Sequence, residues 1–115
     1  MSDFPPGVLP TLQHALVFNL LDAYRRVGHD LPFCDLYPDL IRALKWVHAQ
    51  DPETAVSVVW NTLEHLAGHT QTEGGPATEA AARCLRFSLT RTTPPFGEWS
   101  EEQADRFVTA ALIKS

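Results

Sequence analysis

Basic residues are scarce in this chain. Nine Lys and Arg stand against fourteen Asp and Glu, giving a net charge of −5 with histidine neutral. Such a surface has little with which to neutralise phosphates, which argues against non-specific nucleic-acid binding and leaves a protein partner open. Cysteine is almost absent. Cys34 and Cys84 are the two present, with no C-x-x-C spacing, too few for a disulfide scaffold, so reduced, buried thiols are expected. No apolar run approaches the roughly 20 residues that span a bilayer. The opening MSDFPPGVLP has no basic stretch leading into an apolar one, so no secretory leader is expected. A soluble, cytoplasmic protein fits these absences. Strand-like alternation and internal repeats are missing too, which excludes β-rich and solenoid architectures.

What remains is helical periodicity over 115 residues, 44% of them hydrophobic. That length suits one domain able to fold on its own core. Residues 1–8, with Pro5, Pro6 and Gly7, read as an irregular arm, and residues 9–115 as a single helical domain. The pattern predicts an all-α fold, a compact bundle of about five helices.

The most legible stretch is DPETAVSVVWNTLEHLAGHT, residues 51–70. Asp51 is a good N-cap, Pro52 suits the first helical position, and Glu53 meets the positive end of the helix dipole. At about 100° per residue, Ala55, Val56, Val59, Trp60, Leu63, Leu66 and Ala67 form one arc. Ser57, Asn61, Glu64, His65, Gly68 and His69 lie opposite it, with Val58 and Thr62 beside the histidines.

A first helix is expected over Pro10–Val27. Leu9, Leu12, Leu16, Val17, Leu20, Leu21, Tyr24 and Val27 cover half its circumference, which would make it the hub. Asn19, Asp22 and Arg26 mark its outer side; His14, Phe18 and Arg25 form a mixed strip at the edge. Gly28 should cap it, and residues 29–35 read as a loop with Leu31 and Phe33 folded onto the core. A second helix over Leu36–Gln50, started by Asp35 or by the Tyr37-Pro38 step, carries Leu36, Leu40, Ala43, Leu44 and Val47 inward. Its sharp corner at Asp51-Pro52 makes it a neighbour of the central helix and invites a helix-turn-helix reading, although acidic and apolar residues follow that corner. A fourth helix over Pro76–Arg91 turns Ala77, Ala81, Cys84, Leu85, Ser88 and Leu89 inward, with Arg83, Arg86 and Thr90 outside. TTPPFGEW, residues 92–99, is a rigid connection with Phe96 and Trp99 as clamps. A capping box, Ser100 with Gln103, then opens the last helix.

Catalytic signatures are missing: no phosphate loop, no nucleophile elbow, no Glu-x-x-His pair. The one arrangement with chemical potential is His65 and His69, an i, i+4 pair able to chelate a metal from one helix face. A zinc site needs a third ligand, for which His48 or His14 are the candidates, with Glu64 or Glu73 as a carboxylate option. The bland alternative is two solvated residues on an outer face. The pair is similar to that of the DinB-like metal-binding bundles, which hold a metal through histidines on neighbouring helices; the likeness covers only His65 and His69 and implies a bound metal. The alternative expectation is thus a helical bundle that binds a divalent metal through His65 and His69, with a metal-dependent hydrolase or transferase activity as its form.

The leading expectation is a protein-binding or regulatory module without catalysis or cofactor: an adaptor, an immunity-type inhibitor or an assembly subunit. Its partner would be another protein or a second copy. Trp46, Phe96 and Trp99 are the candidate contact aromatics, and Arg83 and Arg86 a candidate contact for an acidic partner. Nucleic-acid binding through Arg83, Arg86 and Arg91 is the weakest reading.

Overall fold

Among the described residues, five helices form in chain order: α1 (Val8–Val27), α2 (Pro38–Gln50), α3 (Pro52–Thr70), α4 (Pro76–Arg91) and α5 (Glu101–Leu112). A 3₁₀ segment, Gly28–Phe33, links the first two. The computed structural model describes residues 5–34, 36–70, 76–91 and 99–113, apart from the side chains of residues 29, 69, 70, 76 and 77. The fold is an all-α bundle, with no strand among the described residues, and no helix is long and apolar enough to cross a membrane.

Helix starts follow local chemistry. α1 begins two residues before Pro10, because a proline in the first turn lacks only an N–H that would have no helical partner anyway. Gly7, at φ 85°, turns the chain into that helix, and its carbonyl accepts from the Thr11 N–H at 3.0 Å. Gly28, at φ 58°, ends it in a backbone region that side chains disfavour. Of the two expected starts, α2 takes the Tyr37-Pro38 step, two residues into the expected range. At α3, Asp51 caps as expected: its Oδ1 accepts from the Glu53 N–H at 3.2 Å, and its Oδ2 from the Thr54 hydroxyl at 2.8 Å. The Thr54 hydroxyl, first, and then backbone N–H groups hold the Asp51 carboxyl below its ordinary pKa. At α5, the Gln103 N–H donates to Ser100 Oγ at 3.1 Å.

The hub is α3, not α1. α3 packs against all four other helices, whereas α1 packs chiefly on α3, α2 and the 3₁₀ segment. The crowding around α3 buries Val58 and Thr62 along with Ala55, Val59, Leu63 and Leu66, and leaves Glu64, His65 and Gly68 outside. The Thr62 hydroxyl is satisfied within its own helix by the Val58 carbonyl, at 2.7 Å. Leu31 is fully buried, but Phe33 is 76% exposed. At three residues per 3₁₀ turn, positions two apart cannot face the same way, so only one of the pair reaches the core.

α2 holds a second departure from periodicity. Lys45 is 2% exposed among Ile41, Leu44 and Val47, with its Nζ 5.8 Å from the centre of the Trp99 ring. Trp99 itself is 7% exposed, edge-on to His48 at 4.8 Å and to Phe107 at 5.5 Å. This aromatic cluster fastens the approach to α5 onto α2.

Candidate functional site

An open, mainly apolar groove lies between α1 and the start of α2. Two polar side chains set the backbone there. Asn19, expected outside, is buried because its Oδ1 accepts the Tyr37 N–H at 3.0 Å, and a buried amide is tolerated once bonded. Ser88 on α4 holds the adjacent residue, its Oγ accepting the Leu36 N–H at 3.2 Å. Between them these bonds pin the chain just before Pro38 and turn the Tyr37 ring outward, 66% exposed.

Across from Tyr37 stands Phe18, 62% exposed, its ring 5.1 Å from that of His14 one turn back. The groove between them has a volume of 790 Å³ and is bordered by Ala15, Leu40 and Pro38, with Asp22, Asp39 and Arg42 at the rim. The rim charges are paired locally: Arg26 with Asp22 at 3.1 Å, and Arg42 with Asp39. An open apolar trough flanked by two protruding rings is the usual form of a contact surface. Among the described residues, the exposed aromatic side chains are Phe18, Phe33 and Tyr37.

The residues singled out from the sequence are placed elsewhere. Trp99 is a core residue, because His48 and Phe107 close around its ring, and so it serves as a clamp and presents no surface to a partner. Trp46 is half-buried against the core. Phe96 lies outside the described residues. Arg83 is paired with Glu79 at 2.9 Å, and Arg86 bridges to Asp105 on α5 at 2.5 Å. The cleft beside Arg86 is lined by Glu101, Glu102 and Asp105 as well, so acidic side chains flank the candidate contact for an acidic partner. Arg91 stacks over the Phe87 ring at 4.7 Å.

His65 is exposed on the outer face of α3, beside a shallow cleft it shares with Asn61, Glu64 and Gly68. The His69 side chain and Glu73 lie outside the described residues. His48 cannot complete a site with His65. It sits at the Asp51 corner against Trp99 and Phe107, whereas His65 lies on the order of 20 Å farther along α3 at 1.5 Å per residue. Burial also holds the His48 imidazole below its ordinary pKa. His14 is exposed and stacked on Phe18. Among the described residues no three His, Cys, Asp or Glu side chains gather as a metal site would require.

Phe18 was visible in the sequence only as part of a mixed strip, and Tyr37 only as a helix start. The signal for Phe18 was an aromatic residue beside, rather than within, a helix's main apolar arc; Tyr37 precedes α2 and carried no such signal. No protein-family model, curated protein or solved structure matches the chain.

Proposed function

We propose that this protein is a protein-binding module without a catalytic role, and that it docks through the groove between α1 and the start of α2. The observation that carries the reading is the pair of outward rings, Phe18 and Tyr37, on a backbone held rigid by Asn19 and Ser88. A rigid aromatic pair loses little entropy on docking and buries a large apolar area.

The partner that this surface fits is a second copy of the chain. Thr11, His14, Phe18, Asp22 and Arg25 form one exposed strip along α1. An antiparallel pairing of two such helices about Phe18 sets His14 of each copy opposite Asp22 of the other, since both lie four residues from the centre. A two-fold contact repeats that complementary pair on both sides and seats each Phe18 at the other copy's groove. The Asp22–Arg26 pair is exposed, so little is lost if Asp22 changes partners.

Sedimentation velocity over a wide concentration range tests this. The wild-type chain should pass from monomer to dimer, and Phe18→Asp should remain monomeric with an unchanged helical spectrum. His14→Lys should tighten the dimer and His14→Asp loosen it, each by roughly a few-fold. A wild-type chain that stays monomeric at every concentration removes the second copy as occupant. A dimer indifferent to Phe18→Asp removes the groove.

A further inference from the structure

We infer that Cys34 and Cys84 form an oxidation site, in which a hydroperoxide acting on Cys34 leads to an intramolecular disulfide with Cys84. The two thiols are 50 positions apart in sequence, yet the Cys84 Sγ donates to the Cys34 carbonyl oxygen at 3.0 Å. Standard backbone bond lengths put the Cys34 Cα about 2.4 Å from its own carbonyl oxygen, and therefore within about 5.4 Å of the Cys84 sulfur. The further reach from that sulfur to the Cys84 Cα bounds the Cα–Cα separation at about 8 Å, against the roughly 4.4–6.8 Å that a disulfide spans, so bridging needs rotation of the Cys34 side chain and a backbone shift of about an ångström or two rather than unfolding.

The two cysteines differ in the way a sensing pair requires. Cys34 is half-buried, at the end of the 3₁₀ segment, with its N–H held by the Leu31 carbonyl at 3.0 Å. Cys84 is fully buried on α4. A dissolved peroxide therefore meets Cys34 first, and Cys84 is the resolving thiol close by. In the first step the Cys34 sulfur attacks the peroxide. The O–O bond breaks, a sulfenic acid forms, and the alcohol or water derived from the peroxide leaves with the thiol proton. In the second step the Cys84 sulfur attacks the sulfenic sulfur. The S–S bond forms, the S–O bond breaks, and the hydroxyl departs as water with the Cys84 proton. The peroxide is reduced by two electrons, which the two thiols supply.

Packing favours this outcome over simple over-oxidation. The 3₁₀ segment and α4 pack closely together, so the resolving sulfur is held beside the sulfenic acid instead of waiting on diffusion. The new bond would tie α4 to the strand of chain that leads into Tyr37, and would constrain the unfolded chain across a long loop.

The test is titration of the full-length chain with hydrogen peroxide, followed by alkylation under denaturing conditions and intact-mass measurement without reductant. The expected product has lost two hydrogen atoms, takes up no alkyl group, yields a 34–84 linked peptide on digestion, and melts at a higher temperature than the reduced chain. In Cys84→Ala the sulfenic acid at Cys34 should persist and be trapped by dimedone. Should Cys84→Ala fold poorly, Cys34→Ser serves instead, and Cys84 should then resist peroxide in a folded protein. Gain of oxygen at Cys34 with Cys84 still open to alkylation overturns the inference, as does a disulfide found only between two chains.

Discussion

A half-buried imidazole makes a measurable demand on pH. Burial lowers the His48 pKa below its ordinary 6.5, because the ring lies between Trp99 and Phe107 and its charged form is poorly solvated. The unfolded chain therefore binds a proton more readily than the folded one. His48 contributes its stabilisation in full above the unfolded pKa, and that contribution is lost as pH falls below 6.5 toward the folded pKa. Denaturant melts of the wild type should thus weaken over that window, and His48→Phe should flatten the dependence there. The aromatic signature at residues 96–99 was readable as a clamp, and Trp99 is one. Lys45 was not readable, since its neighbours in sequence give no hint that a ring from far along the chain will cover it.

At the scale of single elements, the helix starts carry the information. Asp51 and Ser100 both cap where the sequence placed them, because a capping bond involves only residues two or three positions apart. Ser100→Ala leaves the Gln103 N–H without its acceptor and should cost about 1 kcal/mol. The thermal midpoint should drop by about 4 °C for a domain of this size, with no change in fold. The faces of helices were less legible than their starts. On α3 the apolar arc was read as Ala55, Val56, Val59, Trp60, Leu63, Leu66 and Ala67, and the buried set shifts toward Val58 and Thr62. Periodicity locates the centre of an apolar stripe, but the number of neighbours decides how far burial extends on either side. On α1, an asparagine that looked solvated became the acceptor for the start of α2. That bond spans 18 positions, and no local pattern announces it.

Across the whole molecule, Trp99 fastens the approach to α5 onto the bundle. Trp99 touches His48 and Phe107 and lies under the Lys45 ammonium group. Trp99→Ala should therefore destabilise the chain by about 3–5 kcal/mol, read from urea unfolding, whereas Phe18→Asp should leave the unfolding midpoint nearly unchanged, because that ring is exposed. The contrast separates an aromatic residue that holds the bundle from one that faces a partner, a distinction composition alone cannot make. The sequence by itself determined the helical class, the number of helices, most of their boundaries and the capping residues, since each rests on interactions within a few positions. Only the tertiary structure decided that α3 is the hub, that Trp99 and Lys45 go inside while Phe18 and Tyr37 stay out, that His48 and His65 are held far apart, and that two cysteines distant in sequence meet. Those outcomes depend on which helix faces pack together, and several packings satisfy the same set of apolar stripes.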